Sequence, residues 1–515
     1  MSLNKLSTSF YIRDLDQDAF PHPVLDLEIL ETHISWVVLT GHYAYKIKKP
    51  VDLGFLDFTT LELRRHFCEE ELRLNRNWAP TLYLGVVAIC DKGGRPVVDG
   101  DGPPIEYAVK MRQFPQSARL DAQLDAGLLR ARDVHALANT IAENHAGAAV
   151  AAFDSAASAL DRVSTSMQEN FPPLEALADA AQLGRIRDWT EHQIRENSVM
   201  IARRHEDGFV RECHGDLHLA NLVRLDTGIV AFDCVEFSRD LRTLDVINDV
   251  AFLAMDLIAR KRRDLAYVFL NRYLECTGDY VGMALYGLYF VYHCMIRAKV
   301  AAIRNDVDKM QHYVDVALRW IDRKPARIAA MHGLSGSGKT TLSDRLLPLI
   351  PALRVRSDVE RKRLFGLREN QGSDSGVGAG IYTDDAKSDV YSRALEIADG
   401  LLVAGLNVIV DASFLRHSDR QRLTALARRH GVDPVWLDTS APDDELARRL
   451  VERARSGRRI SEADVRVLES QMRRRDLLTP EERTRTVAID TTRPIDWQEL
   501  RAAIVRKLST PNEQA

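Results

Sequence analysis

The run Gly333-Leu334-Ser335-Gly336-Ser337-Gly338-Lys339-Thr340 narrows the fold of this chain more than any other stretch. Glycines at these spacings let successive backbone N–H groups curl around an anion at the start of a helix. The strand-like Arg327-Ile328-Ala329-Ala330-Met331 precedes it and a helical pattern follows, so the segment reads as strand, loop and helix. In that setting Lys339 is expected to reach the β- and γ-phosphates of a nucleoside triphosphate, and Thr340 to hold its magnesium ion. Gly333, Ser335, Gly336, Ser337, Gly338 and Thr341 complete the expected cradle. From residue 325 onward strands and helices alternate, the pattern of a mostly parallel sheet with helices on both faces.

Two acids and an arginine-rich stretch extend this pattern. Asp358 ends a second strand-like segment, Val355-Arg356-Ser357, where an acceptor would lie opposite the loop. Asp411 ends a third, Asn407-Val408-Ile409-Val410, and suits polarisation of magnesium through water. Arg448, Arg449, Arg453, Arg455, Arg458 and Arg459 crowd around Ser456-Gly457. A hinged segment there would place charge over a transferring phosphoryl group, with Arg453 and Arg455 as the expected contributors. These features resemble the P-loop kinases that include gluconate, shikimate, zeta-toxin-like and polynucleotide 5′-kinases. The resemblance spans roughly residues 326–505 and implies that Asp358 is the acceptor-side base, with Arg361 near the substrate.

An unrelated signature lies upstream: Cys213-His214-Gly215-Asp216-Leu217-His218-Leu219-Ala220-Asn221, then Phe232-Asp233. Asp216 and Asn221 are five residues apart, a gap that lets one side chain face an acceptor hydroxyl while the other turns back to a metal. Asp233 follows a short strand, Gly228-Ile229-Val230-Ala231-Phe232. This set resembles the aminoglycoside phosphotransferase family, which includes choline and homoserine kinases. The resemblance implies that Asp216 is catalytic and that Asn221 and Asp233 hold magnesium. It also implies an N-terminal lysine on the phosphates, paired to a helix glutamate. Lys46 and Lys48 share one strand face, with Lys46 favoured; Glu69, Glu70 and Glu71 offer the partner, with Glu71 favoured. No G-x-G-x-x-G precedes that strand, which leaves the phosphate-covering loop unassigned.

The surrounding pattern fits. Trp36–Thr40 and Tyr43–Lys48 read as strands around Gly41-His42, Thr60–Trp78 as a charged helix, and residues 82–87 and 105–111 as further strands. After Gln116 the chain turns alanine-rich and helical. The apolar stretch Val281–Ile296 is short of the roughly 20 residues a membrane span needs and reads as a buried helix. Val307, Met310, Val314, Ala317, Leu318 and Ile321 mark one face of the next helix. The expected class is an α+β two-lobed kinase-like domain, lobes 1–115 and 116–324, followed by an α/β P-loop NTPase domain over 325–515. The whole resembles bacterial fusions of an aminoglycoside phosphotransferase-like domain with an ATP-binding domain.

A net charge of −4 gives no overall attraction to nucleic acid or anionic membrane. Six cysteines without a CxxC pair fit reduced thiols in a cytoplasmic protein, not a disulfide framework or a zinc site. Met1-Ser2-Leu3 carries no structural role. The stretch 370–380 reads as a mobile loop. The implied reactants are ATP, with GTP left open, Mg²⁺, and small hydroxylated acceptors; nucleic acid is not favoured. The competing expectations are that one half only senses nucleotide, or that the second half phosphorylates polynucleotide ends.

Overall fold

A computed structural model describes residues 12–54, 56–151, 156–369, 371, 380–455 and 465–508. Met1-Ser2-Leu3, nearly all of 370–380 and the Ser456-Gly457-Arg458-Arg459 segment lie outside the described residues. Close packing divides the chain into two units: Met1–Ala159 with Ala202–Asp256, and Leu160–Ile201 with Leu257–Ala515.

The first unit carries a six-stranded antiparallel sheet of β1 (Glu28–Glu31), β2 (Ser35–Leu39), β3 (Tyr43–Lys48), β4 (Tyr83–Asp91), β5 (Pro96–Val98) and β6 (Pro104–Arg112). Its order is β1-β2-β3-β6-β4-β5. The Gly41-His42 turn sets the β2–β3 register, Val37 opposite Lys46. The apolar alternation of β2, β3, β4 and β6 is what makes them readable. β1 and β5, four and three residues long, are too short to show it. The Leu61–Trp78 helix starts at Thr60, whose hydroxyl accepts from Leu63 N at 3.2 Å. Its apolar face, with Cys68, packs on Ala44, Tyr83, Val109 and Met111. Two ribbons follow: β7 (Val210–Glu212) with β10 (Thr243–Asp245), and β8 (Leu222–Leu225) with β9 (Gly228–Ala231). A small sheet first and mostly helix after Gln116 is the α+β kinase-like arrangement.

The second unit is helical up to Ile321 and then α/β. The expected helix over Val281–Ile296 is instead a 3₁₀ turn, Val281–Ala284, and a buried α-helix, Tyr286–Ile303. In the Val307–Ile321 helix, Val307 is exposed, because Tyr313, Val316 and Trp320 share the buried face with Met310, Val314, Ala317 and Leu318. Trp320 stacks on Phe290 at 4.7 Å. Five parallel strands then form one sheet: β11 (Ile328–His332), β12 (Leu353–Arg356), β13 (Val408–Asp411), β14 (Val435–Ser440) and β15 (Thr486–Asp490). Their order is β12-β13-β11-β14-β15, so the strand entering the glycine-rich loop is central. The divisions at 115 and 324 follow motifs and do not coincide with these units. Residues 257–324 pack with 325–515 because the edge strand β12 finds polar partners on the Arg263–Thr277 helix.

All six cysteines are free thiols. Among the described residues no helix is long and apolar enough to cross a membrane.

Arg420 fixes the far side of the parallel sheet. It is fully buried on the His417–Arg429 helix and donates to Phe414 O at 3.1 Å, Leu415 O at 3.2 Å, Leu477 O at 2.9 Å and Glu482 Oε1 at 2.8 Å. Arg420→Met strands Glu482 and these carbonyls without their donor. Chemical denaturation should show a loss of about 3–5 kcal/mol for the second unit, with Arg420→Lys losing less.

Candidate active sites

In the first unit, charge converges on β3. The side-chain period of two puts Lys46 and Lys48 on one face, over Glu71 of the Leu61–Trp78 helix. Lys46 Nζ donates to Glu71 Oε1 at 2.8 Å and to Asp233 Oδ1 at 2.5 Å. Lys48 Nζ donates to Glu71 Oε2 at 2.8 Å and to Glu236. Both lysines therefore use Glu71, and Lys46 alone reaches Asp233. Glu69 pairs with Arg65, and Glu70 with Arg73 and Arg242. Glu71 is fully buried. Burial raises its carboxyl pKa, but the two ammonium groups outweigh this and hold it at about 2. Burial likewise disfavours the charge on Lys46, and Asp233, Glu71 and Glu236 override it, raising its pKa well above the usual lysine value.

The 213–221 loop brings the remaining acids together. Asp249 accepts from His214 N at 2.8 Å and Gly215 N at 3.0 Å, while Asp256 accepts from Leu219 N at 3.0 Å. Gly215 has φ +82°, and a Cβ there would meet Leu241 O at 2.9 Å, so only glycine fits. Asn221 Nδ2 donates to Asp216 O at 3.0 Å and Oδ2 at 2.9 Å, which leaves the Asn221 carbonyl as an outward acceptor. His218 Nε2 lies 3.4 Å from Asp216 Oδ2, its Nδ1 accepts from Ala220 N, and its ring packs edge-on against Phe252. His214 bonds Phe232 O at 2.9 Å, and burial pushes its pKa down. Asp233 sits in the left-handed region, φ +64°, with its N–H on Tyr83 Oη at 3.1 Å. Asp216 and Asp233 keep about 40% and 44% of their side chains exposed, whereas the groups orienting them are buried. Hard oxygens on the exposed Asp216 and Asp233, with the side-chain carbonyl of the buried Asn221, are of the kind magnesium takes.

In the second unit the glycine-rich loop joins β11 to the Lys339–Leu346 helix. Gly333 has φ +136°, and a Cβ would meet Thr439 O at 2.4 Å. Arg449 Nη1 donates to Gly336 O at 3.3 Å and to Thr491 Oγ1 at 2.8 Å, and Ser335 N donates to Gln471 Oε1 at 2.8 Å. Lys339 Nζ folds back onto Gly333 O at 2.9 Å and Leu334 O at 2.8 Å. A cavity of about 920 Å³ opens beside the loop. Ser335, Gly336, Gly338, Lys339, Thr340 and Thr341 line it, as do Asp358, Asp411, Arg361 and Arg453. Gly333 and Ser337 do not: Ser337 is buried, its hydroxyl 2.7 Å from Thr439 Oγ1. Arg455, exposed at the last residue of the Asp443–Arg455 helix, is also absent from the lining. Arg448 pairs with Glu445 and Glu452 on the solvent side.

Asp358 lies in the first turn of the Ser357–Leu364 helix, with Arg361 one turn on, so both face the cavity. Asp411, at the end of β13, accepts from Ser343 Oγ at 2.8 Å through Oδ2. Burial raises the pKa of Asp411, against the pull of Arg354 and Arg356. Thr340 and Asp411, both on the cavity wall, supply a hydroxyl and a carboxylate oxygen suited to magnesium. Sequence reasoning missed Gln471, Arg416, Asp419 and Arg474 on the cavity wall. The segment Asp411-Ala412-Ser413-Phe414-Leu415-Arg416, leaving a buried strand, was the available signal. Phe414 there holds φ +44°, fixed by its N–H on Tyr391 Oη and by edge contacts with Tyr391 and Trp436.

Residues 328–478 match the family model described as "AAA domain". "Uncharacterized protein Rv2004c" of Mycobacterium tuberculosis (strain ATCC 25618 / H37Rv) is 32% identical over 451 residues, covering 84% of this chain and 88% of the relative. "Uncharacterized protein Mb2027c" of Mycobacterium bovis matches at the same values. Among solved structures, a gluconokinase from Sinorhizobium meliloti 1021 is 21% identical, covers 38% of this chain and 99% of its own, and has a TM-score of 0.27. A choline kinase from Cryptosporidium parvum Iowa II is 12% identical over 63% of this chain and 92% of its own, with a TM-score of 0.38. At these values the geometry of the two sites, not overall superposition, carries the functional reading.

Lys339 gives the second site a pH signature. Burial lowers its pKa, only partly offset by Asp411 and Asp358, to about 8. A triphosphate bound there would favour the ammonium form, so the bound pKa would exceed the free one. The favourable contribution is then full below pH 8 and is lost as pH rises. Calorimetric titration with ATP should show affinity weakening above pH 8, where the phosphates no longer titrate, by up to about tenfold per unit. Lys339→Arg should abolish the weakening.

Proposed function

From a chain that belongs to one family with the mycobacterial Rv2004c and Mb2027c proteins, we propose a bifunctional ATP-dependent phosphotransferase acting on hydroxyl groups. The observation that carries this reading is the convergence, in each unit, of a lysine and carboxylates on a site with exposed oxygen donors. Phosphoryl transfer asks mainly for positioning and charge, and these residues supply both.

In the first unit Asp216 orients the acceptor hydroxyl and takes its proton. Lys46, held by Glu71, meets the phosphates, and Asn221 and Asp233 hold magnesium, which offsets phosphate charge. Lys46 holds Asp233 at 2.5 Å; a nucleotide drawing Lys46 to its phosphates would leave that carboxylate available to a magnesium ion. Asp216→Ala should lower acceptor phosphorylation by about 10²–10⁴-fold with little change in ATP binding. Lys46→Ala should weaken ATP binding itself. Parallel metabolite screens with labelled ATP on the full-length Asp216→Ala and Lys339→Ala variants assign each product to its site. Loss of every product in one variant and none in the other would contradict bifunctionality.

In the second unit the loop holds the triphosphate, with Lys339 on its phosphates, Thr340 and Asp411 on the magnesium side, and Asp358 as acceptor-side base. The cavity wall carries nine lysine and arginine side chains against three aspartates. Glu445 and Asp490, outside the lining, pair with Arg449 and Arg493, and the balance of charge on the wall stays cationic. This favours as acceptor a small hydroxylated anion bearing a carboxylate or phosphate, with Arg361 and Arg453 among the lining cations. Charge removal at Arg361 (Arg361→Gln) should raise KM for such an acceptor about tenfold, leaving KM for ATP within twofold. Equal activity on neutral polyols would argue against an anionic acceptor. A steep salt dependence with oligonucleotides would instead favour polynucleotide ends. A small-molecule enzyme of this kind fits a cytoplasmic setting.

A further inference from the structure

β12 is the edge of the parallel sheet, and its inner side pairs with β13 from Leu353–Val408 to Arg356–Asp411. An edge strand leaves its outward backbone groups unpaired. Here one side chain of the Arg263–Thr277 helix takes two of them: Asn271 Oδ1 accepts from Arg354 N at 2.6 Å, and Asn271 Nδ2 donates to Ala352 O at 3.0 Å. Tyr280 Oη donates to Arg354 O at 3.3 Å. The helix lies outside residues 328–478, the segment matched by the family model, yet it completes the sheet.

One turn beyond Asn271, Glu275 begins a dry chain of side chains ending in the site. Arg354 Nη2 and Nε donate to Glu275 Oε1 at 2.6 and 3.2 Å. Arg354 Nη1 donates to Ser343 Oγ at 2.8 Å and to Asp344 Oδ1 at 2.5 Å. Ser343 Oγ in turn donates to Asp411 Oδ2 at 2.8 Å. Glu275, Arg354 and Ser343 are 4%, 3% and 0% exposed. A buried guanidinium must have a buried counter-charge. Glu275 is that charge, and Asp344 is more than half exposed. Without Glu275, the remaining buried carboxylate that Arg354 acts on is Asp411 itself.

We propose that Glu275 is a positioning residue for the glycine-loop site: it neutralises Arg354, so that Arg354 orients Ser343 instead of claiming Asp411, and Asp411 keeps an oxygen for magnesium. This rests on the reading of that site as a magnesium–triphosphate site. It also makes the site depend on chain that precedes residue 328.

The test uses the full-length protein in a Lys46→Ala background, with the β,γ-imido analogue of ATP titrated calorimetrically with and without Mg²⁺. The signal removed by Lys339→Ala belongs to the second site. Glu275→Ala should cut the affinity gained from Mg²⁺ about tenfold, with Mg²⁺-free affinity unchanged within twofold. Glu275→Gln, which keeps the hydrogen bonds and loses the charge, should cut it about threefold and decides the matter if the alanine variant does not fold. A lowered thermal midpoint with an unaltered Mg²⁺ gain would mean a purely structural role and would overturn the proposal alone. A parent protein whose Lys339-dependent binding gains nothing from Mg²⁺ would overturn the reading of the site, and the proposal with it.

Discussion

A carboxylate taken out of water is costly unless cations meet it, and each unit of this chain is organised around one. Glu71 spends both oxygens on two lysines of the same strand. That arrangement fixes the Leu61–Trp78 helix against β3 and sets the height of Lys46 over Asp233. Removing one partner from such a set leaves an uncompensated buried charge, at a cost of about 3–5 kcal/mol. Glu236, three residues beyond Asp233, closes the set through Lys48. The segment that carries a proposed magnesium ligand is thus pinned by a buried ion pair. Glu275 has the same relation to Arg354 and Arg356 in the second unit.

Backbone geometry adds a second constraint at both sites. Gly215 and Gly333 stand where a Cβ would strike a carbonyl oxygen. Asp233 and Phe414 adopt left-handed φ without being glycine. Strain of this kind persists only where neighbours over-determine it. The Tyr83 hydroxyl does so for Asp233, and Tyr391 and Trp436 do so for Phe414. The aromatic residues around these sites therefore act as backbone clamps, and their value lies in geometry more than in buried area.

What the sequence disclosed follows from the range of the chemistry. The 333–340 loop and the Asp216–Asn221 pair are local, because one short loop must present several groups to one ligand. The alternating strands and amphipathic helices are local for the same reason. Lys46 and Lys48 could not be separated by pattern, since both lie on one face; the fold uses both. Pairings set by packing left no trace: Glu275 meets Arg354 across 79 residues and Lys48 meets Glu236 across 188. Ser337 looks equivalent to Ser335 in the motif, yet its hydroxyl turns inward to Thr439. Arg448, Arg449 and Arg453 look alike along the chain, but helix phase sends one to solvent, one to the loop backbone and one to the cavity.

The same reasoning bears on why these elements share a polypeptide. A parallel sheet whose edge strand enters an active site cannot leave that edge to water or to another chain without loosening the site. Here the cover is a helix encoded before the sheet begins, and it brings both a backbone mimic, Asn271, and a charge, Glu275. A linker would need neither. Because the cover also neutralises Arg354, which lies behind Asp411, separating the P-loop segment at residue 324 would remove part of its interior. Within the second unit, residues 257–324 and 325–515 are joined by shared packing as well as by sequence, and that is a physical reason for those two segments to remain one chain.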